Sequence, residues 1–123
     1  MHSVAREHLA TFASRVSYIV ADFRRGEWIG DVPPADALVT MQAAHEMRHK
    51  SYLLQFLRHA RQAIRPDGMI LFCDHYADAN PKKSSDLYVS RDQQAELLSR
   101  VGFCVVRLVH DEGGMALYSA MRL

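Results

Sequence analysis

Five consecutive residues, His45-Glu46-Met47-Arg48-His49, have the spacing at which two histidines on one helical turn share a zinc ion while the glutamate between them acts as base. That chemistry needs both rings on the same helix and a third ligand nearby. Here the run falls where a strand-like segment gives way to a helix, and Arg48 sets a cation beside the metal position. Glu96 or Asp74 would have to complete the set. Zinc-dependent peptide hydrolysis is therefore only a minor alternative, and no metal site is expected. His45 reads better as a residue at the rim of a substrate pocket, or else as a solvated loop histidine.

Two further positions have the chemistry of a site. Asp74-His75 follows the apolar run Met69-Ile70-Leu71-Phe72-Cys73, and functional groups of open sheets gather where strands end, so both are candidate substrate-binding residues. A polar cap that merely ends the strand is the alternative. Asp22, after Val16-Ser17-Tyr18-Ile19-Val20-Ala21, is the other acidic strand end, and its bland reading is an aspartate that accepts from nearby backbone amides in a turn. Trp28 fits a lid over a sheet edge better than a ligand contact.

The elements that position these residues follow from pattern. Arg65-Pro66-Asp67-Gly68 predicts a turn, since proline ends a helix and glycine accepts a positive φ. The run after it is apolar on successive residues, as a strand buried on both faces must be. Tyr52, Leu53, Phe56, Leu57, Ala60 and Ile64 recur at helical spacing and predict a helix from about His49 to Ile64. Ser90 caps a second helix that ends before Gly102, and a shorter one is expected from residue 2 to about 13. Strands are expected at Val16–Ala21, Asp36–Met41, Phe103–Val109 and Met115–Met121, besides the central one. Ala77 to Leu87, rich in Asp, Asn, Pro, Lys and Ser, reads as a surface loop.

A length of 123 residues suits a single domain spanning 1–123. Fifteen Lys and Arg against fourteen Asp and Glu, a net charge of +1, imply no nucleic acid and no membrane surface as partner. No apolar run approaches the roughly 18 residues of a membrane span, and Cys73 and Cys104 lie in apolar runs where thiols serve as small hydrophobes. A reducing, cytoplasmic setting is the expectation. A receiver-like phosphorylation domain has similar length, but it needs clustered acidic residues at neighbouring strand ends, and the second strand here ends in Met41-Gln42.

In this order, Val20-Ala21-Asp22-Phe23, Asp36-Ala37-Leu38-Val39-Thr40-Met41-Gln42-Ala43-Ala44-His45, Arg65-Pro66-Asp67-Gly68 and Val101-Gly102-Phe103 resemble the class I S-adenosylmethionine-dependent methyltransferases. The resemblance runs over nearly the whole chain and covers about the last two thirds of that family's domain. The family's first two strands, its glycine-rich cofactor loop and its ribose-gripping acid have no counterpart. It implies an α/β fold, a partial Rossmann-like sheet that is mostly parallel with an antiparallel C-terminal strand. It also implies S-adenosylmethionine as cofactor, with Asp22 and Phe23 flanking the adenine and Gln42 and Ala43 near the methionine part.

The function so implied is methyl transfer to a small-molecule acceptor, impaired in this short form and with no single catalytic residue required. A non-catalytic methyltransferase-like module or subunit is the alternative, so enzymatic status is open. His45, Asp74 and His75 are the candidate substrate contacts. Without the two absent strands, the strand Asp36–Met41 exposes its ladder. Either Val16–Ala21 moves in beside it, giving five strands in the order first, second, third, fifth, fourth, or the edge pairs with another copy as a homo-oligomer.

Overall fold

The computed structural model describes residues 2–77 and 87–123. Four strands form one sheet, β1 (Ala35–Met41), β2 (Ile64–His75), β3 (Phe103–Glu112) and β4 (Met115–Arg122), in the order β1-β2-β4-β3. β1 and β2 are parallel, while β4 runs antiparallel to both β2 and β3. Three strands therefore share a direction and the C-terminal one opposes them, as expected. Because β4 sits between β2 and β3, only one neighbouring pair is parallel.

The turn predicted at Arg65–Gly68 is present, but it is folded into the sheet. Ile64 pairs with Ala35 and Met69 with Ala37, so four residues of β2 bulge out between two positions of β1. Asp67 takes φ 66°, a value short polar side chains tolerate. A Cβ on Gly68 would lie 2.5 Å from Ile64 Cγ2 and 2.8 Å from the Asp36 carbonyl oxygen, so only glycine lets the bulge close against β1.

Two longer helices cover one face of this sheet. In α2 (Ser51–Ala63), Leu53, Phe56, Leu57, Ala60 and Ala63 form the buried stripe that the helical spacing predicted. Arg122, at the end of β4, closes that helix by donating to the carbonyls of Arg61, at 2.9 Å, and Ile64. α3 (Arg91–Arg100) opens with the expected Ser90 cap, and Ser90 and Gln93 satisfy each other's backbone amides. Gly102 follows it at φ 102°. Leu57, Ile64, Ile70, Phe72, Leu98, Ala116 and Ala120, each 1% exposed or less, form the centre of the core between the helices and the sheet.

The opposite face carries no helix among the described residues. Its side chains alternate with the buried ones. Val39 and Met41 are exposed, and Leu71, Leu117 and Met121 are half-buried.

The structure departs from the sequence reading in the first third. Val16–Ala21 forms no strand: Val16 is extended, but no described residue pairs with the segment, and Val20 is 89% exposed. The sheet thus has four strands, and the repair by insertion beside β1 is absent. Branched and aromatic composition favours a strand only when a neighbouring ladder and a face to bury are within reach. The helix expected over residues 2–13 splits into α1 (His2–His8) and a 3₁₀ turn (Ala10–Arg15), neither with a buried residue. Gly26–Asp31 is a 3₁₀ turn that buries Trp28. The loop expected at Ala77–Leu87 lies, from Asp78 to Asp86, outside the described residues.

Candidate functional site

Asp22 and Phe23 enter the site from the chain that leads into the Trp28 turn. The Asp22 carboxylate accepts from the Arg24 backbone amide at 3.0 Å and from the Arg24 guanidinium, Nε at 3.0 Å and an Nη at 2.9 Å. These hydrogen bonds from Arg24 hold the Asp22 carboxyl down, to a pKa of about 2. Phe23 stands edge-on to Trp28, with ring centroids 5.7 Å apart, and to Phe56 of α2 at 5.8 Å. Trp28 is itself tilted against Phe56 at 6.3 Å. Three aromatic rings therefore build one wall.

The facing wall is β1. Between Phe23 and Trp28 on one side and Leu38 to Met41 on the other lies an apolar cavity of about 330 Å³, closed off by Ala43, Ala44 and Met47. A second, more polar opening of about 460 Å³ shares Phe23, Ala43 and Met47 with it, and adds Asp22, Arg24 and Arg48. Asp22, Phe23 and Ala43, all singled out from sequence, thus meet at one cleft beyond the C-terminal end of β1. Gln42 does not join them. At φ 53° it turns away, its amide Nε2 donating to Met115 Sδ at 3.1 Å, while its backbone N–H donates to the Cys73 carbonyl at 2.8 Å.

Asp74 and His75 end β2 and line a separate, small cavity with His49, Lys50 and Gln94. Asp74 is 4% exposed and its Oδ1 accepts from the His75 backbone N–H at 2.8 Å, so it caps its own strand end as well as facing that cavity. The His75 ring meets Tyr88 edge-on at 5.9 Å. The two cavities border each other at Ala44, which lines both. Next to it, the His45 and Glu46 side chains lie outside what the structure describes.

The backbone nonetheless decides the helical premise of the His45–His49 motif. Ala44–Met47 is a single 3₁₀ turn, Arg48 reverses the chain at φ 69°, and His49 stands outside α2. There its Nδ1 accepts from the Ser51 backbone N–H at 3.1 Å and lies 2.7 Å from Ser51 Oγ, so it is used as a helix cap. The two histidines therefore do not share a helical turn. No group of three His, Cys, Asp or Glu side chains that could hold a metal exists among the described residues.

A family model of an O-methyltransferase domain matches residues 2–114. The chain belongs to the O-methyltransferase family. The resemblance to class I S-adenosylmethionine-dependent methyltransferases thereby stands. Among solved structures, an O-methyltransferase family protein from Burkholderia thailandensis superposes with a TM-score of 0.79 at 14% identity, covering 98% of this chain and 40% of that one. A structure described as PigF with SAH gives 0.73 at 16% identity, with the same coverages of 98% and 40%. Human N-acetylserotonin methyltransferase, in complex with SAM, gives 0.65 at 15% identity, covering 89% of this chain and 34% of that one. At such identities the likeness establishes the fold. This chain spans about 40% of the length of the first two. No curated protein matches it in sequence.

The cleft fits part of the cofactor that the family implies. An aromatic wall beside a carboxylate suits a planar base with amino donors, and about 330 Å³ lies at the small end of ligand pockets. No glycine lines either opening, so no described backbone makes the close approach that a glycine-rich loop provides. Sequence reasoning missed three members of the site. Arg24 was legible as a cation two residues from Asp22, and Met47 was hidden inside the apparent zinc motif. Trp28 was read as a lid, although its burial against Phe56 makes it part of the wall.

Proposed function

We propose that this chain forms part of the cofactor site of an S-adenosylmethionine-dependent methyltransferase acting on a small-molecule acceptor. The observation that carries this reading is the meeting of Asp22, Phe23 and Ala43 at one cleft beyond the end of β1, in a chain of O-methyltransferase family. The printed descriptions of two fold relatives, one with SAH and one with SAM, support the choice of cofactor. When bound, S-adenosylmethionine supplies an electrophilic methyl group.

What the chain itself contributes is binding and orientation. Phe23 offers an aromatic surface, and Asp22, oriented by its hydrogen bonds from Arg24, accepts from amino donors at the rim. Ala43, Ala44 and Met47 narrow the cleft and exclude water. Asp74 and His75, with His45 next to Ala44 in sequence, are the proposed acceptor contacts, since Ala44 lines both their small cavity and the cleft. Holding the acceptor in line is the main catalytic task of such a site. Binding by the chain alone is no tighter than about millimolar, because the described cleft offers few contacts to offset the roughly 4 kcal/mol or more lost on association. Its setting is proposed to be the reducing cytoplasm, which suits two free cysteines; no described helix is long and apolar enough to cross a membrane.

Calorimetric titration of the chain with S-adenosylmethionine and its demethylated product tests this. Saturable binding weakened by Phe23→Ala is the expected result. No binding of either compound at millimolar concentration would favour the non-catalytic module.

A further inference from the structure

We propose that Gln94 is a specificity-determining residue, whose Oε1 accepts a hydrogen bond from an uncharged O–H or N–H donor that the acceptor carries apart from the atom to be methylated. This role presupposes that the cavity of Asp74 and His75 is the acceptor side, as proposed above. A polar side chain stands where α3 should bury an apolar one. The helix buries two side chains, Gln94 and Leu98, four positions apart on its inner face. At 1% exposure Gln94 is the most deeply buried polar side chain among the described residues. Burying an amide is unfavourable unless both of its polar ends find partners.

One end of this amide has its partner. Nε2 donates to the His75 carbonyl at 3.1 Å and so fastens α3 to the end of β2. Because a carbonyl oxygen only accepts, the atom facing it must be the NH₂ group, and the orientation of the side chain is fixed. Oε1 is thereby held on the other side of the amide, where it is buried with no hydrogen-bond partner among the described residues. A tie between helix and strand accounts for Nε2 alone. What remains is an acceptor of fixed position that calls for a donor from outside the chain.

The cavity that Gln94 lines with Asp74, His75, His49 and Lys50 selects the kind of donor. About 10 Å³ is free in it, the room of a single water-sized group. A ring or a chain is too large, so a bound molecule places one polar head inside and keeps its body outside. Asp74 and Lys50 bring opposite charges to the lining, which favours neither a cation nor an anion and leaves a neutral donor as the match for Oε1. The cofactor cleft is a different space, sharing only Ala44 with this cavity, so the group that Gln94 reads is not the one that receives the methyl. A site built to accept such a bond rejects the analogue that lacks the donor, because the amide oxygen is then shut off from water and unpaired.

Phenol and fluorobenzene are nearly equal in size and differ in the donor, so titrating each into the ¹⁵N-labelled chain, without cofactor, tests the role of Gln94. Phenol should shift the side-chain NH₂ resonances of Gln94 and bind about tenfold or more tightly than fluorobenzene. Gln94→Met keeps the length of the side chain and removes the amide, and it should bring the two probes to within about twofold of each other. The comparison of probes in the parent stands by itself if that variant does not fold. Equal binding of the two by the parent would overturn the proposal, as would a preference that survives Gln94→Met, phenol shifts that spare the Gln94 amide, or no binding of either probe at millimolar concentration. Titrating S-adenosylmethionine into the same sample keeps the two readings apart. Its binding without any preference for phenol overturns the role of Gln94 and leaves the cofactor cleft standing; a phenol preference at Gln94 in a chain that binds no S-adenosylmethionine supports the donor site and counts against the cleft.

Discussion

Replacing Phe23 by alanine separates the site from the fold. Phe23 is 45% exposed, so slightly more than half of it is buried. Full burial of such a ring contributes about 1.5–3 kcal/mol, and this fraction about 1 to 1.5. Its edge contacts with Trp28 and Phe56 add about 0.5–1.5 kcal/mol each. A loss of about 2–4.5 kcal/mol is smaller than the usual ~5–15 kcal/mol of stability, so the domain stays folded. Against a nucleoside ligand, loss of one stacking surface costs about 1–3 kcal/mol, a weakening of roughly five- to 150-fold. Trp28, the chain's single tryptophan, lines the same cleft, so its fluorescence reports both events. Urea unfolding should show a lower midpoint, and S-adenosylmethionine concentrations that perturb Trp28 in the parent should leave it unperturbed in Phe23→Ala. Phe23→Leu should recover most of the stability and little of the binding. A folded Phe23→Ala protein that binds within twofold of the parent would refute the assignment of this wall to the cofactor.

Three other outcomes follow from particular contacts. Asp22 is held at a pKa of about 2, below its ordinary 3.8; because the folded value is the lower one, its contribution to stability is complete above 3.8 and disappears as pH falls through about 2. Arg24→Ala should therefore raise the Asp22 carboxyl toward 3.8 in an NMR titration, and a titration unchanged from the parent would show that Arg24 is not the cause. Gly68→Ala should lower the thermal midpoint by an amount equivalent to about 2 kcal/mol or more, since the added carbon meets the Asp36 backbone at 2.8 Å where nothing can rotate away; an unchanged midpoint would mean the bulge is not closed. Burial, aided by Asp74, pushes the Cys73 thiol above its ordinary range, so a thiol reagent at neutral pH should modify Cys104 first, and peptide mapping that finds Cys73 modified first would contradict the packing of β2.

The elements read correctly from sequence are those whose local signals and tertiary surroundings agree. The α2 stripe and the Ser90 cap each specify their structure within a few residues, and both reappear in place. Val16–Ala21 has the composition of a strand but gains from that composition only beside a ladder. The nearest free ladder, on β1, stands across a cavity walled by Phe23 and Trp28. Anchoring of these two rings on Phe56 fixes where the preceding chain runs, and that anchoring involves residues about thirty positions apart, which no local pattern records.

The same distinction divides the candidate site. Ala43 was legible because it follows β1, at the end of the sheet where function gathers, whereas Asp22 and Phe23, marked by the family resemblance, reach the cleft without a strand before them because the Phe23 ring is anchored on Trp28 and Phe56. Gln42 follows β1 just as closely, yet the reversal at φ 53° sends its side chain toward Met115. A one-residue difference after a strand decides which side of the sheet end a group serves, so only backbone geometry separates Gln42 from Ala43. Arg48 makes the same point in the opposite sense. A letter pattern placed His45 and His49 on one helical turn, and a single residue at φ 69° removes that turn and leaves His49 to cap α2. What the walls of the cleft offer, three rings and one carboxylate bonded to Arg24, suits a planar, amino-bearing ligand.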